Sequence, residues 1–186
     1  MSGDLTADQV RKLLELEPNA TCGFVKLTFV SPQAFAAGAL PAPFAQARPV
    51  GSALYFMVTP QAPVRLHRIR NDQLYHYYLR DPLELFLLHA NGTSERFVVG
   101  PDVAAGQRVQ FLIPGNTFHT ARLLGPKLDQ AGLDPTRWFL GASTEWPGVI
   151  PADVDVEIGD LEVLGAKYAV VAPQLRAIAA SVQVVA

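Results

Sequence analysis

The chain has 186 residues, of which 49% are hydrophobic and 17% charged, and its formal net charge is −2. That length supports one well-buried domain spanning 1–186, and the apolar content excludes a disordered or polyelectrolyte chain. The near-neutral balance, with no Lys/Arg cluster, excludes nucleic acid and anionic membrane as main partners. With no apolar run of signal-peptide or membrane-span length, a soluble cytoplasmic protein is expected.

In chain order, Thr6 and Gln9 form a T-x-x-Q capping box ahead of Val10, Leu13 and Leu14, which recur at helical spacing. The spacing predicts a short helix ending near Leu16, broken by Pro18. Residues 23–30 read as a strand. Cys22, alone in the chain and without a base beside it, reads as a small buried hydrophobe rather than a nucleophile. Residues 31–51 are rich in Ala, Pro and Gly but too apolar for a free linker, so a long loop over a barrel mouth or a dimer partner is expected.

Strand signals then come at short intervals, over 52–59, 64–70, 73–78, 83–90, 94–99, 108–113, 119–123 and 138–144. Turn chemistry separates most of them: Thr59-Pro60, Asn71-Asp72, Asp81-Pro82, Asn91-Gly92, Gly100-Pro101 and Pro114-Gly115-Asn116. Regular short strands of this kind predict an all-β sandwich or barrel. Residues 160–168 and 173–180 look helical and are expected to pack outside it. Glu84, Glu95 and Asp102 read as solvated, and Asp153, Asp155 and Glu157 alternate with apolar residues as an exposed edge would.

The blocks GSALYFMV, HRIRNDQLYHYYLRDPLELFLL, GPDVAAGQRVQFLIPGNTFHTARL and WFLGASTEWPG resemble, in order and register, the pattern of cupin family 5. The residues that carry the resemblance are His67-Arg68-Ile69, Asp72, His76, Asp81-Pro82-Leu83, Gly106, Gln110, Pro114 and Pro147-Gly148. It implies a cupin double-stranded β-helix (jelly-roll) barrel with its core at about 23–165, a short N-terminal helix, C-terminal helices, and a homodimer. Such barrels are similar to those of nucleotide-sugar epimerases. The family's N-terminal His, acidic pair and Arg are replaced here, with Lys26 at the Arg position, while His119 stands where family members usually carry no histidine. The chain therefore reads as a divergent member with a rebuilt pocket.

Against the general cupin metal pattern, His67 takes the first histidine position, Ile69 the second, Gln73 the carboxylate position and His119 the last. A neutral amide is a poorer ligand than a carboxylate, so no cofactor is favoured; a divalent metal, if bound, would use His67, Gln73 and His119. The favoured chemistry is metal-independent proton transfer, as in an isomerase, epimerase or cyclase, with His67 and His119 as base and acid and Tyr75 holding an enolate-like oxygen. Lys26, Tyr55, Gln73, His76, Tyr77 and Gln110 are the candidate substrate-binding residues for a small molecule. His76 lies on the face opposite Gln73 unless a bulge turns it inward. The rival readings are a non-catalytic metabolite-binding cupin and a metal-dependent oxygenase or lyase.

Overall fold

Residues 5–125, 136–155, 161–169, 171–173 and 175–176 are described by a computed structural model. Helix α1 (Ala7–Leu14) begins at the expected reciprocal cap: Gln9 N–H donates to Thr6 Oγ1 at 3.3 Å, and Thr6 N–H to Gln9 Oε1 at 2.9 Å. Glu15, left-handed at φ 54°, ends it. There follow β1 (Glu17–Pro18), β2 (Phe24–Val30), β3 (Ala34–Phe35), β4 (Arg48–Pro49), β5 (Ser52–Val58), β6 (Val64–Ile69) and β7 (Gln73–Arg80). After these come β8 (Leu83–Leu88), β9 (Ser94–Val99), β10 (Gln110–Ile113), β11 (Phe118–Leu123), β12 (Phe139–Glu145), β13 (Val154–Asp155) and α2 (Leu161–Lys167). The N-terminal helix, β2 and β5 to β12 thus fall where turn chemistry and periodicity place them, whereas β1, β3, β4 and β13 lie outside the expected strands. Of the helix expected over 173–180, most lies outside the described residues.

Two antiparallel sheets face each other. One has the order β1-β2-β5-β12-β7-β10, the other β13-β6-β11-β8-β9. A bridge between Cys22 and Val64 joins them along one side. Alternation along each strand sends one set of side chains inward. Phe56, Val58, Tyr75, Leu83, Leu85, Leu87, Phe111, Ile113, Ala121 and Phe139 fill the interior. Helix α1 covers one end of the first sheet's outer face, with Val10 against Met57, Trp138 and Leu140. Leu164 of α2 and Tyr168 cover the outer face of the second, over Leu66, Phe86 and Leu88. Among the described residues no helix is long and apolar enough to cross a membrane.

Three carboxylates read as solvated from sequence are placed otherwise. Glu84 is buried and bridges Arg96 at 2.6 Å and Arg122 at 2.7 Å. Asp155 is half-buried and pairs with Arg68 at 2.7 Å. Asp153 is fully buried and meets Arg48 at 2.7 Å, where the Arg48 side chain is 1% exposed. Glu157 lies outside the described residues. Alternation with apolar neighbours marks a strand with two unlike faces, but it does not say that the polar face is wet.

The Arg48–Asp153 pair also explains the segment 31–51. It is a two-stranded ribbon rather than a bare loop: β3 pairs with β4, Val50 N–H donates to Gln33 O at 2.9 Å, and Arg48 anchors the ribbon to the barrel. Asp153 Oδ2 accepts a second bond from Ile150 N–H at 3.0 Å. Removing one member of such a pair strands the other charge. Asp153→Ala is therefore expected to lower unfolding free energy by about 3–5 kcal/mol in urea titrations, with Arg48→Met/Asp153→Leu recovering most of the loss. Equal destabilisation by the single and double variants would show that the pair's charge is not the cause.

Candidate active site

The β6–β11 register sets His119 directly opposite His67. From this pair to the next, Ala121 opposite Val64, β11 advances two residues and β6 three, so β6 carries a bulge. The bulge lets Val64 and His67 both face inward despite their odd spacing. The turn before β11 depends on Asn116, left-handed at φ 59°, a region asparagine tolerates. The two imidazoles are 2% and 0% exposed, and their ring centroids lie 4.2 Å apart at 56°.

Each histidine is held by the carbonyl two residues before it. His67 Nδ1 lies 2.7 Å from Arg65 O, and His119 Nδ1 lies 3.2 Å from Thr117 O. A carbonyl only accepts, so both Nδ1 atoms carry the proton and both Nε2 atoms present a lone pair. The Tyr75 hydroxyl donates to His119 Nε2 at 3.2 Å. Burial pushes the His67 pKa down to about 4, partly offset by the Arg65 carbonyl. His119 is held well below its ordinary value by burial, with His67 adding to the effect. Tyr75 is raised well above its ordinary value, first by burial and then by the buried Cys22 thiol. At neutral pH the centre thus holds two neutral imidazoles and a protonated phenol.

A second polar group sits on the same inner face, and sequence reasoning missed most of it. Glu145, 2% exposed, lies opposite Ser52 on one neighbouring strand and Gln73 on the other. Ser52 Oγ donates to Glu145 Oε2 at 2.8 Å, Ser143 Oγ donates to Glu145 Oε1, and Gln73 Nε2 lies 3.4 Å from Ser143 Oγ. Burial raises the Glu145 pKa against the pull of the two hydroxyls. Its charge in turn contributes to raising Tyr75 and Cys22, so both polar groups share one interior. The signal was parity: Ser143 and Glu145 continue the inward set Phe139 and Gly141, but the expected strand stopped at 144.

The remaining candidates divide by face. Gln73 and Tyr77 point inward, yet the Tyr77 hydroxyl donates to Arg80 O at 2.7 Å and its ring packs on Phe139. Lys26, Tyr55, His76 and Gln110 belong to the outer face and cannot share a cavity with His67. Lys26 and Tyr55 pair with each other in register, and Lys26 is bound to Glu15. Gln110 pairs with His76 and donates to its Nδ1 at 3.2 Å, while His76 Nε2 lies 3.0 Å from Thr144 Oγ1. The β7 bulge does exist, but it falls at Tyr78, beyond His76, so His76 keeps its outward parity.

The cupin metal position can be tested on these donors. One imidazole Nε2 is engaged by Tyr75, and the carboxylate position holds an amide bonded to Ser143. Among the described residues no three His, Cys, Asp or Glu side chains are grouped to hold an ion. Cys22, buried and with its pKa raised by burial to about 11, keeps its proton. This donor set does not fit a divalent cation.

A two-sheet antiparallel barrel that turns histidines from neighbouring strands of one sheet into its interior defines a cupin. The chain belongs to the Cupin superfamily (DUF985) family, whose model matches residues 8–156. Two solved structures share the fold. A hypothetical protein from Leishmania major is 23% identical over 89% of this chain and 93% of its own, with a TM-score of 0.73. A protein from Shewanella oneidensis is 24% identical over 92% and 96%, with a TM-score of 0.74. No curated protein matches the chain.

The depressed histidines set a pH dependence. The unfolded chain takes up a proton near pH 6.5, whereas folded His67 does so only near 4. The folded state is therefore fully favoured above 6.5 and loses about 1.4 kcal/mol per pH unit from His67 as pH falls towards 4. His119 adds to the loss with the same sign. Urea titrations from pH 7 to 4 should show this slope, reduced in His67→Gln. Long-range ¹⁵N–¹H spectra should show both rings as the Nδ1–H tautomer at pH 7; a charged ring there would refute the assignment.

Proposed function

We propose that this protein is a metal-independent cupin that moves a proton on a carbon next to a carbonyl group of a small molecule, the chemistry of an isomerase, epimerase or cyclase. The observation that carries it is the pairing of two neutral, Nδ1-protonated imidazoles with a phenol that keeps its proton, all buried in one interior. Groups whose environments push acid and base apart in this way suit general acid–base work. A neutral Nε2 of His67 accepts the α-proton, the C–H electron pair becomes the enolate double bond, and the carbonyl pair moves onto oxygen. Tyr75 turns from His119 to donate a hydrogen bond to that oxygen. Return of the same proton from His67 Nε2 to another carbon of the enolate, with the Tyr75 hydroxyl going back to His119 Nε2, completes the cycle with no oxidant or reductant.

The test is ¹H NMR of a metabolite panel in D₂O with chelator-treated protein. A carbon acid should lose its α-proton signal. Tyr75→Phe and His67→Ala should each slow the exchange by about 10²–10⁴-fold, the range of a positioned acid or base. Exchange that appears only when metal is restored would overturn the reading, and ligand binding with no exchange in any compound would make the barrel a binding module.

We further propose that two copies pair through the outer face of the first sheet. Phe29, Tyr78 and Leu112 are 53%, 45% and 51% exposed there, with Tyr78 stacked on His76 of the His76–Gln110 pair. Light scattering should give the mass of two chains, and Tyr78→Glu should give one.

A further inference from the structure

Two adjacent rows of side chains cross the inner face of the first sheet, from β2 through β5 and β12 to β7. The register gives them as Val30–Ser52–Glu145–Gln73 and Leu27–Leu54–Ser143–Tyr75. Each spans three strand spacings, about 14 Å. At the β2 end Leu27 and Val30 pair with inward-facing residues yet are 58% and 47% exposed, so this end of the two rows meets solvent. At the β7 end everything is buried.

The buried end is rich in acceptors and short of donors. Glu145 receives two hydroxyls, and its environment contains no cation among the described residues. Gln73 is 5% exposed, and its Oε1 has no hydrogen-bond partner among the described residues. A buried carboxyl without a counter-charge and an orphaned amide oxygen are both costly to the fold. The fold does not need them there, since the equivalent inward positions elsewhere hold Leu, Phe and Ile. Both defects are removed by one group, a cation with several N–H donors.

We propose that the Glu145–Gln73 end of the barrel binds the ammonium group of a small amine, whose apolar body lies along Leu54, Leu27 and Val30. The ammonium donates to Glu145 and to Gln73 Oε1, giving the carboxylate its counter-charge. A carboxylate- or phosphate-bearing ligand is repelled by Glu145. The row through Ser143 then sets the ligand's next atoms beside Tyr75. This last step rests on the proton-transfer reading; the amine site itself does not. The substrate class is an amine that also carries a carbonyl group.

The test uses n-propylammonium chloride as the probe, with n-propanol and sodium chloride as controls, read by ¹³C-methyl NMR of the full chain. The Leu54 and Leu27 methyls should shift saturably with n-propylammonium, and n-propanol should bind at least about tenfold more weakly. Glu145→Gln should weaken the amine by about tenfold or more, Gln73→Leu should weaken it too, and His67→Ala should leave it unchanged. Should Glu145→Gln fail to fold, the discrimination between amine and alcohol by the unaltered protein and the Gln73→Leu result decide the matter. Equal binding of the two probes, undiminished amine binding in the variants, or no saturable shift overturns the amine site. Amine binding without any α-proton exchange would sink the proton-transfer reading alone, whereas exchange without amine binding would sink only this site.

Discussion

The interior of this protein is organised by strand parity. In a barrel of short antiparallel strands each side chain faces in or out according to an odd or even count, and only a bulge resets the count. Among the described residues three such resets occur: on β2 between Leu27 and Phe29, on β6 between Val64 and His67, and on β7 at Tyr78. The one on β6 brings His67 to His119. The one on β7 comes after Gln73 and Tyr75 have been committed inward and His76 outward. Shifted by one residue, either strand would empty the centre of its imidazole or its phenol.

Once those residues share a dry space, their protonation follows from burial. Neutral imidazole and neutral phenol are the forms a low-dielectric interior favours, and the carbonyls of Arg65 and Thr117 select the tautomer. Glu145 is the exception. Burial raises its pKa and two serine hydroxyls offset part of that rise, so the interior has a carboxyl at one end and an uncharged middle.

Much of this was legible in the sequence. Turn dipeptides located the strands, the T-x-x-Q box located the helix, and the spacing of His67 and His119 put both in one barrel. Tyr75 and Gln73 followed by parity because the β7 bulge falls after them. What escaped has physical causes, of which two concern single strands: a sequence gives each strand's alternation but not which set faces in, nor where a strand ends. Lys26, Tyr55 and Gln110 were assigned to the wrong face for the first reason, and Glu145 was missed for the second. The burial of Glu84 and Asp153 escaped because their arginines, at 96, 122 and 48, are neighbours only after the sheets and the ribbon have closed.

The Arg48–Asp153 contact joins positions 105 residues apart. Closing so long a loop brings an entropic cost that the assembled sheets offset, so the ribbon is expected to dock after the barrel forms. An interaction absent from the folding transition state acts almost wholly on the reverse rate. The ribbon is then a latch. It contributes little to how fast the chain finds its fold and much to how long each molecule stays in it.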